Sequence, residues 1–231
     1  MMNQITSYWD KQSEIWREEK EDAWLLPETT YWLEFFQALP MPSAISERKI
    51  LELGTASGYF ANIMALCGYE VTAIDVSPAM ISEAGNVSRK QKLTVDYRVM
   101  DAQRLTFADD SFDIVFTRLM TWTVPDLLAC YREVYRVLKP GGKFINFDGD
   151  FGSVVFSQEG HERYPAEIME EANIIKACLD ISKHKRPAYD AVILERAGFR
   201  SIESDQQAQS RILKTDERPT GLFMVTATKP D

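Results

Sequence analysis

Histidine is nearly missing from this chain of 231 residues, which has two, His161 and His184. Cysteine is almost as scarce: Cys67, Cys130 and Cys178 lie far apart and in no C-x-x-C spacing. Three isolated thiols build no disulfide framework and point to a reducing compartment. With so few thiol and imidazole ligands, no structural metal is expected. Basic charge is also short, with 26 Lys and Arg against 35 Asp and Glu, a net charge of -9 and a pI near 4.9. A face that tracks a nucleic-acid backbone needs the opposite balance, so no nucleic-acid partner is expected. No apolar run approaches the ~18–20 residues that cross a bilayer. The opening "MMNQITSYWDKQSEIW" holds no apolar signal core. Together these absences predict a soluble, cytoplasmic protein with no membrane partner.

What the chain does have is alternation. Its first stretch, to about residue 40, reads as helical, with Trp9, Trp16, Trp24 and Trp32 among polar residues. "ALPMPS" then breaks the helix, because proline fixes φ and removes a donor. Short strand-like runs follow, separated by helical patterns: "KILELG", "EVTAID", "TVDYRV", "FDIVFT" and "KFINFD". Ser77 is placed to cap a helix whose first position is Pro78. "PDLLACYREVYRVLKPGG" is an amphipathic helix stopped by Pro140, Gly141 and Gly142. Strands separated by helices of this length imply parallel crossovers, hence an α/β layer fold. Near the end, "FRSIES" and "LFMVTATK" flank a polar segment that need not be helical, which leaves these two strands free to pair antiparallel.

Ligands of an open parallel sheet sit at the carboxyl ends of its strands, so the loop leaving the first strand is the default site. There "ELGTASG" sets small residues at Gly54, Ala56 and Gly58. A bare backbone admits a close approach, and the next helix offers free N–H groups. The spacing is not that of a dinucleotide fingerprint, because Tyr59 stands where the last glycine of G-x-G-x-x-G would fall. A phosphate-binding P-loop is excluded too, since no G-K-[ST] follows.

In this order the motifs resemble those of class I S-adenosylmethionine-dependent methyltransferases, in particular the type-11, small-molecule branch. "ELGTASG" is similar to the family's first motif, with Ala56 in place of its middle glycine; "AIDVSPAM", "MDAQRLTFADDSFDIVFTR" and "YREVYRVLKPGGKFINFD" are similar to those that follow. The resemblance implies a Rossmann-like, doubly wound sheet of seven strands, mostly parallel with an antiparallel last strand, beneath a helical N-terminal lid. One domain over 1–231 is then expected, with the lid at 1–45, a cofactor-binding core at 46–148, an acceptor-site insertion at 149–190 and terminal strands at 191–231. S-adenosylmethionine is the implied cofactor and S-adenosylhomocysteine its product.

The same resemblance distributes the roles. Gly54, Thr55, Ala56 and Gly58 form the loop, which Glu52 orients together with the methionyl ammonium. Asp75 accepts the ribose hydroxyls, while Val76 and Met80 offer apolar faces to the adenine, Met80 being open to plain core packing. Asp101, with Ala102 and Gln103, meets the adenine edge. Arg118 stands either at the methionyl end or in a surface ion pair. Tyr8 and Trp16 stack near the sulfonium or merely pack their helix.

Methyl transfer from a sulfonium is an in-line displacement that needs positioning above all, but an oxygen or carbon acceptor also needs a base. Asp148, at the end of the fifth strand, is the first candidate, ahead of Asp150; His161 is another, or else a surface histidine. Trp122 either walls the acceptor pocket or caps a helix. The N-P-P-[YF] signature of enzymes that methylate nucleic-acid amino groups is absent from "RLMTWTVP". The expected partner is a small-molecule acceptor, with the protein a monomer or homodimer. A methyltransferase for protein or tRNA, and a non-catalytic binder of the cofactor, are the alternatives.

Overall fold

The structure is a computed structural model that describes residues 1–39, 48–159, 162–215 and 221–231. Three helices come first: α1 (Met2–Asp10), α2 (Ser13–Ala23) and α3 (Pro27–Gln37). The alternating part runs β1 (Lys49–Leu53), α4 (Tyr59–Leu66), β2 (Glu70–Asp75), α5 (Pro78–Gln91), β3 (Asp96–Val99), β4 (Phe112–Arg118), α6 (Leu127–Val137) and β5 (Leu138–Gly149). After it come α7 (Ala166–Cys178), α8 (Ala188–Ala197), β6 (Arg200–Asp205), α9 (Ala208–Ile212) and β7 (Leu222–Thr228).

The seven strands form one sheet in the order β3-β2-β1-β4-β5-β7-β6. β1 to β5 pair in parallel, and β7 runs antiparallel to both β5 and β6. The expected seven strands with an antiparallel last one are therefore present. The polar segment between β6 and β7 does hold a helix, the short α9, and the strands still pair antiparallel. The order reverses between β1 and β4, and a crevice opens above their carboxyl ends.

Central strands covered on both faces read as near-continuous apolar runs, as β4 does with "FDIVF" wholly buried. Side chains alternate across the sheet. Leu51, Leu53, Val115 and Phe144 meet α6 and α8 on one face, while Ile50, Ile114, Phe116 and Phe147 meet α3 and α4 on the other. Trp32 and Phe36 of α3 are wholly buried in that second core, so α3 is part of the body. α2 buries none of its residues and lies over the crevice. Among the described residues, no helix is long and apolar enough to cross a membrane.

Candidate active site

The loops after β1, β2, β3 and β4 wall a cavity, part of it open to solvent, with α1 and α2 as its roof. Of the residues expected to hold a cofactor, all but Tyr8 and Gly58 line it. Local sequence sets their positions. Ser77 caps α5 by accepting from the Met80 N–H at 3.0 Å, and its hydroxyl donates to Asp10 of α1 at 2.5 Å. That contact fixes α1 beside the end of β2. Gly54 has φ of +69° and stands so close to the Met120 side chain that a Cβ would lie 2.4 Å from Met120 Cγ. Ala56 occupies the left-handed region at φ +48°, which favours the glycine usual in the motif.

Acidic and basic groups line the cavity together. Glu52 is 2% exposed and accepts a hydrogen bond from the Thr55 hydroxyl at 2.6 Å. Burial pushes its carboxyl up to about 8; the Thr55 bond opposes this, and the neighbouring Asp75 charge adds to it. Asp75 accepts from the Ala56 and Ser77 N–H groups, each at 3.0 Å. Burial raises it to about 6, against the pull of those two bonds. Asp101 accepts from the Gln103 backbone at 2.9 Å and from its amide at 3.0 Å, and Gln103 in turn accepts from the Asp126 N–H at 2.8 Å.

Arg118 and Lys20 bring positive charge to the same cavity. Desolvation lowers the pKa of both. The Arg118 guanidinium lies 5.5 Å from the Phe60 ring, and its Nε is buried without a hydrogen-bond partner among the described residues. The indole N–H of Trp16 is likewise buried and unpartnered there. Unpaired buried donors are costly, and two of them on residues that line one cavity suit a ligand that brings an acceptor.

A second cavity adjoins the first, sharing Trp9, Trp16 and Leu119 with it. Its other walls are Tyr8 and Gln12 of α1 and its turn, Glu19 of α2, Trp122 after β4, and Phe151, Phe156, Tyr164, Met169 and Ala172 from the segment after β5. Tyr164 donates to Glu19 at 2.7 Å and so ties that segment to α2.

Four expectations need correction or a limit. Tyr8 does not face the first cavity; one residue along a helix turns a side chain by about 100°, and Trp9 lines it instead. Gly58 does not line it either. It starts α4 at φ +81°, where a Cβ would lie 2.4 Å from the Tyr97 hydroxyl, so its role is steric. Asp148 lines neither cavity. It is wholly buried, accepts from the Thr121 hydroxyl and from the Trp122 N–H at 3.0 Å, and pairs with Arg186 at 3.2 Å. A carboxylate saturated in this way is not placed to take a proton from an acceptor. His161 lies outside the described residues.

Sequence reasoning missed Trp9, Lys20, Met2 and Ile5, all of which line the first cavity. The signal was present: Met2, Ile5 and Trp9 follow helical spacing, and Lys20 stands one turn beyond Trp16.

Residues 51–146 match a family described as "Methyltransferase domain". Among curated proteins, malonyl-[acyl-carrier protein] O-methyltransferase of Serratia marcescens is 33% identical over 107 residues, which is 46% of this chain and 40% of that protein. The chain spans only 26–42% of the length of the first curated relatives it matches. Among solved structures, Haemonchus contortus phosphoethanolamine N-methyltransferase 2, in complex with S-adenosyl-L-methionine, superposes with a TM-score of 0.62 at 21% identity, over 88% of this chain and 52% of that one. An Aquifex aeolicus SAM-dependent methyltransferase gives 0.59 at 18% identity, over 92% of this chain and 98% of that one. At such identities these two likenesses concern the fold.

Proposed function

We propose that this chain, whose residues 51–146 are a class I, type-11 methyltransferase domain, moves a methyl group from S-adenosylmethionine to a small-molecule acceptor. One observation carries the reading: buried acidic groups and residues with unpartnered cationic and indole donors line the same cavity. S-adenosylmethionine suits that lining, with ribose hydroxyls, a sulfonium and an ammonium to meet the acidic groups and a carboxylate to meet the donors. A dinucleotide, with its pyrophosphate, would meet the Asp75 carboxylate unfavourably.

The residues take the following parts. Asp75 keeps lone pairs beyond the two it gives to backbone N–H groups, and these accept the ribose hydroxyls. Asp101 and Gln103 face the adenine amino edge, and Val76 and Met80 its faces. Arg118, Lys20 and the Trp16 indole hold the carboxylate, and Glu52 the ammonium. When bound, S-adenosylmethionine supplies a methyl group already activated by its sulfonium. The chain's own contribution is positioning and the exclusion of water, through the apolar roof of Met2, Ile5 and Trp9. The adjoining aromatic cavity receives the acceptor.

Calorimetric titration with S-adenosylhomocysteine, using NAD as the control, tests the reading. Micromolar affinity for the first and none for the second is expected. Heat from NAD, or none from S-adenosylhomocysteine, would refute it.

A further inference from the structure

We propose that the second cavity takes a cationic amine and that the methyl acceptor is the amine nitrogen. The inference rests on that cavity being the acceptor site, as argued above.

Seven rings carry it: Tyr8, Trp9, Trp16, Trp122, Phe151, Phe156 and Tyr164, drawn from α1, α2, the turn after β4 and the segment after β5. They pack edge to face. Trp9 meets Trp122 at 75°, and Trp122 meets Phe151 at 74° and Phe156 at 61°. Rings inclined in this way bound a space on several sides, and the negative faces of such rings attract cations. Phe156 already holds one on a face, with Lys176 Nζ 4.9 Å from its centroid while it donates to the Val154 carbonyl.

The charge on the walls agrees. Glu19 is the single charged residue lining this cavity among the described residues. One of its oxygens accepts from Tyr164, and the other pairs at 3.4 Å with Lys20, which lines the first cavity. A phosphate or carboxylate acceptor would meet that carboxylate, and among the described residues no cation lines the cavity itself, Lys20 and Lys176 standing over the Trp16 and Phe156 rings at 5.4 and 4.9 Å. A neutral apolar acceptor would use the rings but not Glu19. The net charge of -9 draws cations from afar as well.

Nitrogen also suits what became of Asp148. With that carboxylate tied to Arg186 and Thr121, an oxygen or carbon acceptor loses its first candidate base. An ammonium has only to yield one proton to water. The freed lone pair then forms the N–C bond, while the electron pair of the methyl–sulfur bond stays on sulfur as a thioether. The product is the methylated ammonium.

Choline is a suitable probe, because it cannot itself be methylated on nitrogen, and its uncharged tert-butyl isostere, dimethylbutanol, is the control. Binding of each to the protein saturated with S-adenosylhomocysteine is followed by tryptophan fluorescence and calorimetry. Choline should bind about tenfold more tightly than the isostere. Glu19→Gln should weaken choline about fivefold and leave the isostere unchanged, with circular dichroism confirming the fold. Equal or weaker binding of choline, or binding of neither probe, overturns the amine inference and leaves the functional reading intact. Failure of S-adenosylhomocysteine to bind in the first place overturns the functional reading itself.

Discussion

Replacing Glu52 by Gln tests the electrostatics of the first cavity directly. Glu52 is 2% exposed, and burial moves its carboxyl from its ordinary 4.5 to about 8. In the unliganded folded protein it therefore stays protonated through neutral pH, and the proposed ammonium would lower that pKa by pairing with it, whereas in the unfolded chain it ionises near 4.5. Between those values the unfolded state releases a proton that the native state keeps, so stability falls as pH rises and levels off above about 8. The displacement corresponds to roughly 3–5 kcal/mol, a range that allows for the field shared with Asp75. Glutamine keeps the shape and can still accept from the Thr55 hydroxyl, but it cannot ionise. Urea unfolding of both proteins, from about pH 5 to about pH 9, should show the wild type losing that amount relative to Glu52→Gln. The slope left in the variant belongs in part to Asp75, raised to about 6. Parallel curves for the two proteins would refute the argument, because Glu52 would then be ionised and solvated in the native state.

Three further outcomes are expected. Arg118→Met should weaken S-adenosylhomocysteine by roughly 1.5–3 kcal/mol and leave adenosine, which lacks the carboxylate, unchanged in calorimetry; equal loss for both would place Arg118 elsewhere. Asp148→Asn should cost roughly 3–5 kcal/mol in urea unfolding by leaving the buried Arg186 under-paired. Unchanged stability with slowed turnover would instead restore Asp148 as the base. Gly58→Ala, at φ +81° and against the Tyr97 hydroxyl, should lower Tm by an amount equivalent to roughly 1–3 kcal/mol. Affinity for S-adenosylhomocysteine per folded molecule should hold in that variant, and a loss of affinity would return Gly58 to the binding loop.

The parts legible in the sequence are those fixed by short-range chemistry. Ser77 before Pro78 announced a helix start that the structure builds with the expected hydrogen bond. α6 ends at Val137, ahead of "KPGG", which lies within β5 rather than capping the helix, and the apolar runs marked β1, β2 and β4 to within a residue or two. α7 gave less warning, because its apolar residues are spread around the helix rather than along one stripe. Tyr8 and Trp9 are both aromatic and a turn of about 100° separates them, so residue type alone does not choose between them. Only the run Met2, Ile5, Trp9 tells which side of α1 faces the cavity.

Asp148 was misread for a different reason. A carboxylate at the end of a parallel strand suggests the ligand face, but strand alternation puts Asp148 on the side of β5 that carries Phe144 and Asn146, beneath α6 and α8. There Arg186 lies between Asp148 and Asp190, and its Nη2 donates to the Thr121 hydroxyl at 2.7 Å and to Asp190 at 2.6 Å. Tyr131 of α6 closes the cluster with a bond to Asp190 at 2.6 Å. Nothing local in the sequence joins these residues; only the packing of α8 against α6 and β5 does. Breaking one member strands a buried charge, so the cluster resists local opening. What it holds in place is the turn Thr121–Thr123. The Trp122 backbone is bonded to Asp148, and the Trp122 indole donates to the Leu119 carbonyl at 3.0 Å. Leu119 lines both cavities and Trp122 walls the second. Asp148 thus acts on the second cavity from behind, by fixing one of its walls. For the methyl transfer proposed above, which is governed by distance and alignment, a fixed wall is a contribution that needs no proton transfer.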